Sequence, residues 1–116
     1  MTELNGKAAS SPEDIFKPRE LPREYVSVPE WGIGVWISVM TGTQRDLWEQ
    51  SIADRQNSRA KLIVYSAVRE DGKPLFSPQH VEQLAAENSI ALARLAEVAV
   101  RINRLTEKSL EDVKGK

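Results

Sequence analysis

Apolar side chains recur at alternating steps of four and three residues through the second half of the chain. The positions that follow this spacing are Leu84, Asn88, Ala91, Leu95, Val98, Ile102 and Leu105, with Leu92 and Ala99 widening the stripe. Such spacing places side chains on one face of an α-helix. Ser77 followed by Pro78 is a helix start signal, because the serine oxygen accepts from free amides and proline has none. We therefore predict a helical stretch from residue 77 to about residue 106, divided near Asn88, whose stripe forms the core.

A period of two appears in two short runs nearer the amino terminus. In the first run, Val26 and Val28 share a face. The second run places Val35, Ile37 and Val39 on one face and Trp36, Ser38 and Met40 on the other. Two alternating runs around a Pro-Glu-Trp-Gly turn predict an antiparallel β-hairpin. Because an isolated hairpin is marginal, we expect helices to cover one of its faces.

The middle of the chain is predicted to be helical. Thr41 and Gln44 have the spacing of a capping box, so a helix should begin there and bury Trp48. Residues 59–68 combine the composition of a strand with a helical apolar face, and their length favours a largely buried helix. The predicted fold class is α+β: an N-terminal antiparallel β-hairpin packed against about four α-helices, with disordered termini.

The ends of the chain are polar. Residues 1–20 contain only Leu4, Ile15 and Phe16 as large apolar groups, which predicts a disordered N-terminal arm. Residues 107–116 are predicted to be a flexible C-terminal tail, which leaves residues 21–106 as a single α+β domain. We expect no secretory signal, and no segment approaches the length of a membrane span. The absence of cysteine fits a reducing cytoplasm.

Charge argues against nucleic-acid and membrane partners. The net charge is −1 and the sequence pI is about 5.9. Arg94, Arg101 and Arg104 lie near one border of the long helix, but neighbouring acidic residues such as Glu97 offset them. A solvated helix face explains these arginines, so we expect no nucleic-acid binding and no membrane binding.

No motif in the sequence indicates catalysis, a metal or a cofactor. His80 is the only histidine, and a polar residue in the first turn of a helix is common. Asp71 and Glu82 are spaced like the ends of a calcium loop, but Phe76 stands where that loop requires glycine. Gly32 and Gly34 supply only part of a phosphate-binding fingerprint. We therefore expect a non-enzymatic protein without cofactor or metal.

A second, smaller apolar strip on the long helix suggests a partner surface. Ile90, Ala93, Ala96 and Val100 form it, away from the main stripe. One face of the hairpin must pack inward, which leaves the other for solvent or a partner. The candidate partner-binding residues are Trp36, Met40, Ile90, Ala93, Ala96, Val100 and Arg101. The alternative is that the strip belongs to the core or reflects the high helix propensity of alanine.

Several short motifs resemble the tail assembly chaperones of long-tailed bacteriophages. These are the run Pro29-Glu30-Trp31-Gly32, then Val35-Trp36-Ile37, then Thr41-Gly42-Thr43-Gln44-Arg45-Asp46, and in the second half Asp71-Gly72-Lys73-Pro74-Leu75-Phe76-Ser77 and Asn103-Arg104-Leu105-Thr106. The sequence departs from the family at Ser38, where a basic residue is expected, and at Gln44, where glutamate is usual. The resemblance covers residues 28–106.

The resemblance implies a non-catalytic protein of the host bacterial cytoplasm. Its partner would be the tape-measure protein, a long helical chain that the chaperone keeps soluble while tail-tube subunits polymerise around it. The resemblance also allows contacts with the tail tube protein and self-association. Many relatives are also made in a longer form by ribosomal frameshifting, and Lys114-Gly115-Lys116 of this chain is compatible with the slippery codon run that frameshifting requires. The alternatives are a structural head–tail connector or tail-completion protein, and a small transcriptional regulator.

Overall fold

The β-hairpin and the long C-terminal helix pack against each other, and the remaining elements pack around them. A computed structural model describes residues 7–105 of the chain. Its elements, in order, are α1 (Pro12–Ile15), β1 (Arg23–Val28), β2 (Ile33–Ser38), α2 (Gly42–Ser51), α3 (Ser58–Ser66), β3 (Ala67–Val68), α4 (Val81–Ala85) and α5 (Ser89–Ile102). Short 3₁₀ turns occur at Pro29–Trp31, Ile52–Asp54 and Pro78–His80. The predicted α+β class is confirmed.

The sheet has three strands in the order β1-β2-β3. β1 and β2 pair antiparallel, with Tyr25 opposite Trp36. The connecting turn closes at Gly32, whose φ of 68° lies in the left-handed region that glycine adopts without a steric penalty. The predicted hairpin is therefore confirmed. β3, which pairs with β2 through Ala67 and Val68, was not predicted.

Helix α5 covers the inner face of the sheet and also packs against α3. Its buried residues are Ala91, Leu92, Leu95, Ala96 and Ala99. The side chain of Asn88 accepts hydrogen bonds from the amides of Ile90 and Ala91, which caps α5 and separates it from α4. The predicted division of the helical stretch near Asn88 is confirmed, and so is the role of its apolar stripe as core.

Three polar side chains on or after α5 tie it to the hairpin. Arg94 donates two hydrogen bonds to the Glu30 carboxylate, and Arg101 donates two to Glu24 at 2.8 and 2.9 Å. The hydrogen bond from Arg94 lowers the pKa of Glu30 from 4.5 to about 2. Asn103 accepts from the amide of Met40 at 2.7 Å and donates to the carbonyl of Ser38. Bidentate pairs of this kind fix orientation as well as distance.

Helices α2 and α3 complete the core. The predicted capping box is present, with the Gln44 amide donating to Thr41 Oγ1 and the Thr41 amide donating to Gln44 Oε1. Trp48 is fully buried, as predicted. The predicted helix at residues 59–68 forms α3, but its last two residues leave the helix and form β3. The backbone becomes extended at Ala67, directly after Ser66.

The amino-terminal arm contains one unexpected element. α1 is a single helical turn within the segment predicted to be disordered, and none of its residues is buried. The predicted C-terminal tail at residues 107–116 lies outside the described residues. No helix within residues 7–105 is long and apolar enough to cross a membrane.

Candidate partner-binding surfaces

The structure distributes the seven predicted partner-binding residues over three environments. Ile90 and Ala93 are exposed on α5, and Ile90 keeps 62 % of its surface accessible. Trp36 and Val100 are half-buried, whereas Met40 and Ala96 belong to the core. The seventh, Arg101, is exposed and pairs with Glu24, so it holds α5 to the hairpin.

The expectation that Met40 and Ala96 lie on exposed surfaces is wrong. Met40 comes after the last residue of β2, so the strand alternation no longer fixes its direction, and its amide is held by Asn103. Ala96 is only 3 % exposed. Because α5 is covered by both the sheet and α3, more of its circumference is buried than a single stripe predicts. The strip of small apolar residues is therefore interrupted at its centre.

The outer face of the sheet carries an aromatic cluster. Tyr25 and Trp36 meet edge to face across the strands, with ring centroids 5.4 Å apart. The Arg23 guanidinium lies 4.2 Å from the Trp36 ring centroid, and the Trp36 indole donates to Glu70 at 3.0 Å. A Cβ at Gly34 would approach the Tyr25 ring to 2.1 Å, so the glycine makes room for the ring. Trp36 is thus engaged within the chain, while Tyr25 stays 55 % exposed.

A groove of about 600 Å³ separates the amino-terminal ends of α3 and α5. We call it the α3–α5 groove. Its apolar lining is formed by Ala60, Ala85, Ile90, Leu92 and Ala93. Its polar lining is formed by Arg55, Asn57, Ser58, Arg59 and Ser89. No carboxylate is found among the described lining residues, and Arg59 contributes a positive charge.

The amino terminus of α3 lacks the capping that α2 and α5 have. Asn57 precedes the helix with a φ of 54°, and its side chain makes no capping hydrogen bond. Ser58, the first helical residue, is 5 % exposed, and its Oγ has no hydrogen-bond partner within the described residues. Arg59 adds a positive charge to the first turn, where the helix dipole favours a negative one. This end of α3 therefore has donor capacity and positive potential that the described residues do not neutralise.

Sequence reasoning identified one wall of this groove and missed the other. Ile90 and Ala93 were among the predicted partner-binding residues, but no binding role was predicted for residues 55–59. The usable signal was Arg59 in the first turn, because a basic residue there is electrostatically unfavourable. No comparable signal in the sequence indicates that Arg55 and Asn57 adopt a left-handed backbone conformation.

His80 has a structural role. Its Nδ1 accepts a hydrogen bond from the Ser77 amide at 3.0 Å at the start of the Pro78–His80 turn. Within residues 7–105, no group of three or more histidine, aspartate or glutamate side chains is arranged to hold a metal ion.

Comparison with known proteins shows similarity to a solved structure. No protein-family model matches the sequence, and no curated protein matches it at a significant level. The fold is similar to that of the bacteriophage HK97 tail assembly chaperone, with a TM-score of 0.60. The similarity covers 82 % of this chain and 94 % of that chain, at 21 % sequence identity. At this identity the comparison shows a shared fold.

Proposed function

We propose that this chain is a tail assembly chaperone of a long-tailed bacteriophage. It binds the tape-measure protein in the host bacterial cytoplasm, keeps it soluble while the tail tube assembles, and is absent from the mature virion. The observation that carries the proposal is the fold shared with the HK97 tail assembly chaperone over nearly the full length of that protein. The sequence motifs at the hairpin turn, at the start of α2 and before α4 point to the same family.

The surface of the chain suits reversible holding. A long helical protein that awaits assembly exposes apolar stripes, and small apolar surfaces on a partner cover such stripes through helix-in-groove contacts. This chain exposes Ile90 and Ala93 on α5, and Tyr25 on the sheet. These surfaces are separate from one another, and contacts spread over separate surfaces allow release. The action is binding without chemistry.

Co-expression tests the holding function. The tape-measure protein of the same phage is produced alone, with this chain, and with an unrelated acidic protein of similar size. We expect the soluble fraction of the tape-measure protein to rise only in the presence of this chain, and the two proteins to co-purify. An unchanged soluble fraction, with this chain itself soluble and folded, contradicts the proposal.

Mass spectrometry of purified virions tests the transient role. We expect this chain in lysates of infected cells and not in virions that contain the tape-measure and tail-tube proteins. Its presence in virions in fixed proportion to those proteins would contradict the chaperone role and favour a structural head–tail connector or tail-completion protein.

A further inference from the structure

The α3–α5 groove combines an apolar floor with a positively charged end. We propose that it binds an amphipathic helix of a partner protein, with a partner carboxylate at the amino terminus of α3 and an adjacent apolar side chain packed on Ile90. The identification of that partner as a tail protein rests on the proposed function. The chemistry of the site does not, because it follows from the residues that line the groove.

The charge of the groove selects an acidic partner. Arg59 lines it, and no aspartate or glutamate is found among its described lining residues. The arginines of α5 are already matched, since Arg94 pairs with Glu30 and Arg101 with Glu24. Arg59 has no ion-pair or hydrogen-bond partner within residues 7–105. A carboxylate from outside the described chain would complement this excess of positive charge.

The start of α3 supplies the donors that a carboxylate needs. In α2 and α5 the side chains of Thr41 and Asn88 accept from first-turn amides. At α3 the side chain of the preceding residue does not perform this function, because Asn57 is held in the left-handed region. The hydroxyl of Ser58 in the same turn is buried and has no hydrogen-bond partner among residues 7–105. Unpaired first-turn amides and the positive end of the helix dipole together bind anions. A partner carboxylate would accept hydrogen bonds from these amides and would interact favourably with the dipole.

The apolar part of the groove determines which kind of partner side chain lies next to the carboxylate. Ile90 is 62 % exposed although it stands on a helix whose inner face is fully buried. The side chains around Ile90 are small or buried, and this leaves space for a larger side chain of the partner. They belong to Leu92 and to the alanines at positions 60, 85 and 93. A cleft between two helices with an apolar floor is the geometry that receives the apolar face of a third helix. An acidic residue about one turn from a leucine on that helix would contact both parts of the groove.

Fluorescence anisotropy with the full-length chain tests the proposal. The probe is a labelled amphipathic peptide of about 20 residues with a leucine stripe flanked by glutamates, and its control has every glutamate replaced by glutamine. We expect the glutamate peptide to bind about tenfold more tightly, and the difference to shrink as salt is raised. Equal affinity for the two peptides overturns the proposal.

Matched variants locate the contact. Arg59→Glu should weaken binding of the glutamate peptide about tenfold while α3 stays folded, because an acidic residue in the first turn suits the helix dipole. Lys73→Glu makes the same charge change at an exposed residue outside the groove and should have little effect. Ile90→Gln should weaken binding of both peptides, whereas Ile33→Gln, at a residue 67 % exposed on the hairpin, should not. Equal effects of Arg59→Glu and Lys73→Glu overturn the proposal.

Amide chemical shifts show which occupant fills the groove. We expect the glutamate peptide to shift the amides of residues 58–60 and 89–93. Shifts of these amides with protein concentration alone would assign the groove to a second copy and overturn the proposal. Displacement of the probe by a synthetic peptide of residues 106–116, as strongly as by unlabelled probe, would assign it to the chain's own carboxyl-terminal segment and also overturn it.

Different experimental results would refute the proposed function and the groove proposal. If wild-type chain binds the glutamate peptide at the groove but leaves the tape-measure protein insoluble, the groove proposal stands and the function is wrong. If Arg59→Glu and Ile90→Gln chains keep the tape-measure protein as soluble as wild type does, the function stands and the groove proposal is wrong.

Discussion

Trp48 is the largest fully buried side chain of the described fold, and its replacement tests the packing of the core. It lies on α2, which packs against α3. Its indole nitrogen is buried and has no hydrogen-bond partner within the described residues. Two substitutions are therefore informative: both remove the unpaired donor, but Trp48→Ala also empties the site, whereas Trp48→Phe keeps an aromatic ring in it.

The expected magnitudes differ clearly between the two variants. Emptying a large buried aromatic site costs about 3–5 kcal/mol, a large share of the roughly 5–15 kcal/mol that stabilises a whole domain. An unsatisfied buried donor costs about 1–3 kcal/mol, and Trp48→Phe relieves that cost. We expect the free energy of unfolding to fall by about 3–5 kcal/mol in Trp48→Ala and by less than about 2 kcal/mol in Trp48→Phe.

Urea denaturation followed by circular dichroism measures both values. With a slope of about 1.5 kcal/mol/M, the Trp48→Ala midpoint should lie about 2–3 M below the wild-type midpoint. An unchanged midpoint in Trp48→Ala would show that the side chain is not part of the core. A loss well above about 2 kcal/mol in Trp48→Phe would show that the variant loses a hydrogen bond made by the indole nitrogen, and the reasoning from its unpaired state would be refuted.

Four further predictions concern single features of the fold. Because Arg94 holds the folded-state pKa of Glu30 below its usual value, the carboxylate stabilises the fold above about pH 4.5; the urea-midpoint difference between wild type and Glu30→Gln should vanish as pH falls to about 2. Asn103→Ala should cost about 1–3 kcal/mol in the same assay, by leaving the Met40 amide unpaired. Ala96→Glu should cost more than about 3 kcal/mol because it buries a charge, whereas Ala93→Glu, at an exposed position, should leave the melting temperature nearly unchanged. We also propose that residues 21–106 form the independent folding unit, so deletion of residues 1–20 should shift the melting temperature by less than about 4 °C.

Long periodic patterns were sufficient to predict the frame of the fold. The stripe of α5 spans four turns, and the Asn88 cap and the Thr41–Gln44 box mark helix starts by local chemistry. β3 could not be predicted because Ala67 and Val68 are too few to show a period. Their extended state depends on pairing with Trp36 and Ile37, more than 25 residues away.

The candidate site was harder to predict than the frame. A helical stripe indicates which side of α5 is apolar, but how much of the helix is buried depends on the elements that cover it. Ala96 became core because α3 covers α5 beside the sheet. The second wall of the α3–α5 groove requires a left-handed Asn57 at the start of α3, and local sequence preference does not specify that conformation.

The pairing of α5 with the hairpin has a consequence for biosynthesis. Arg94 and Glu30 are 64 residues apart, and Arg101 and Glu24 are 77 apart. While the ribosome is still translating residues 89–102, the hairpin has already emerged without the helix that covers it. Contacts between such distant residues also slow folding, because a long loop must close before they form. The nascent chain therefore completes its core only after residues 89–102 have been synthesised.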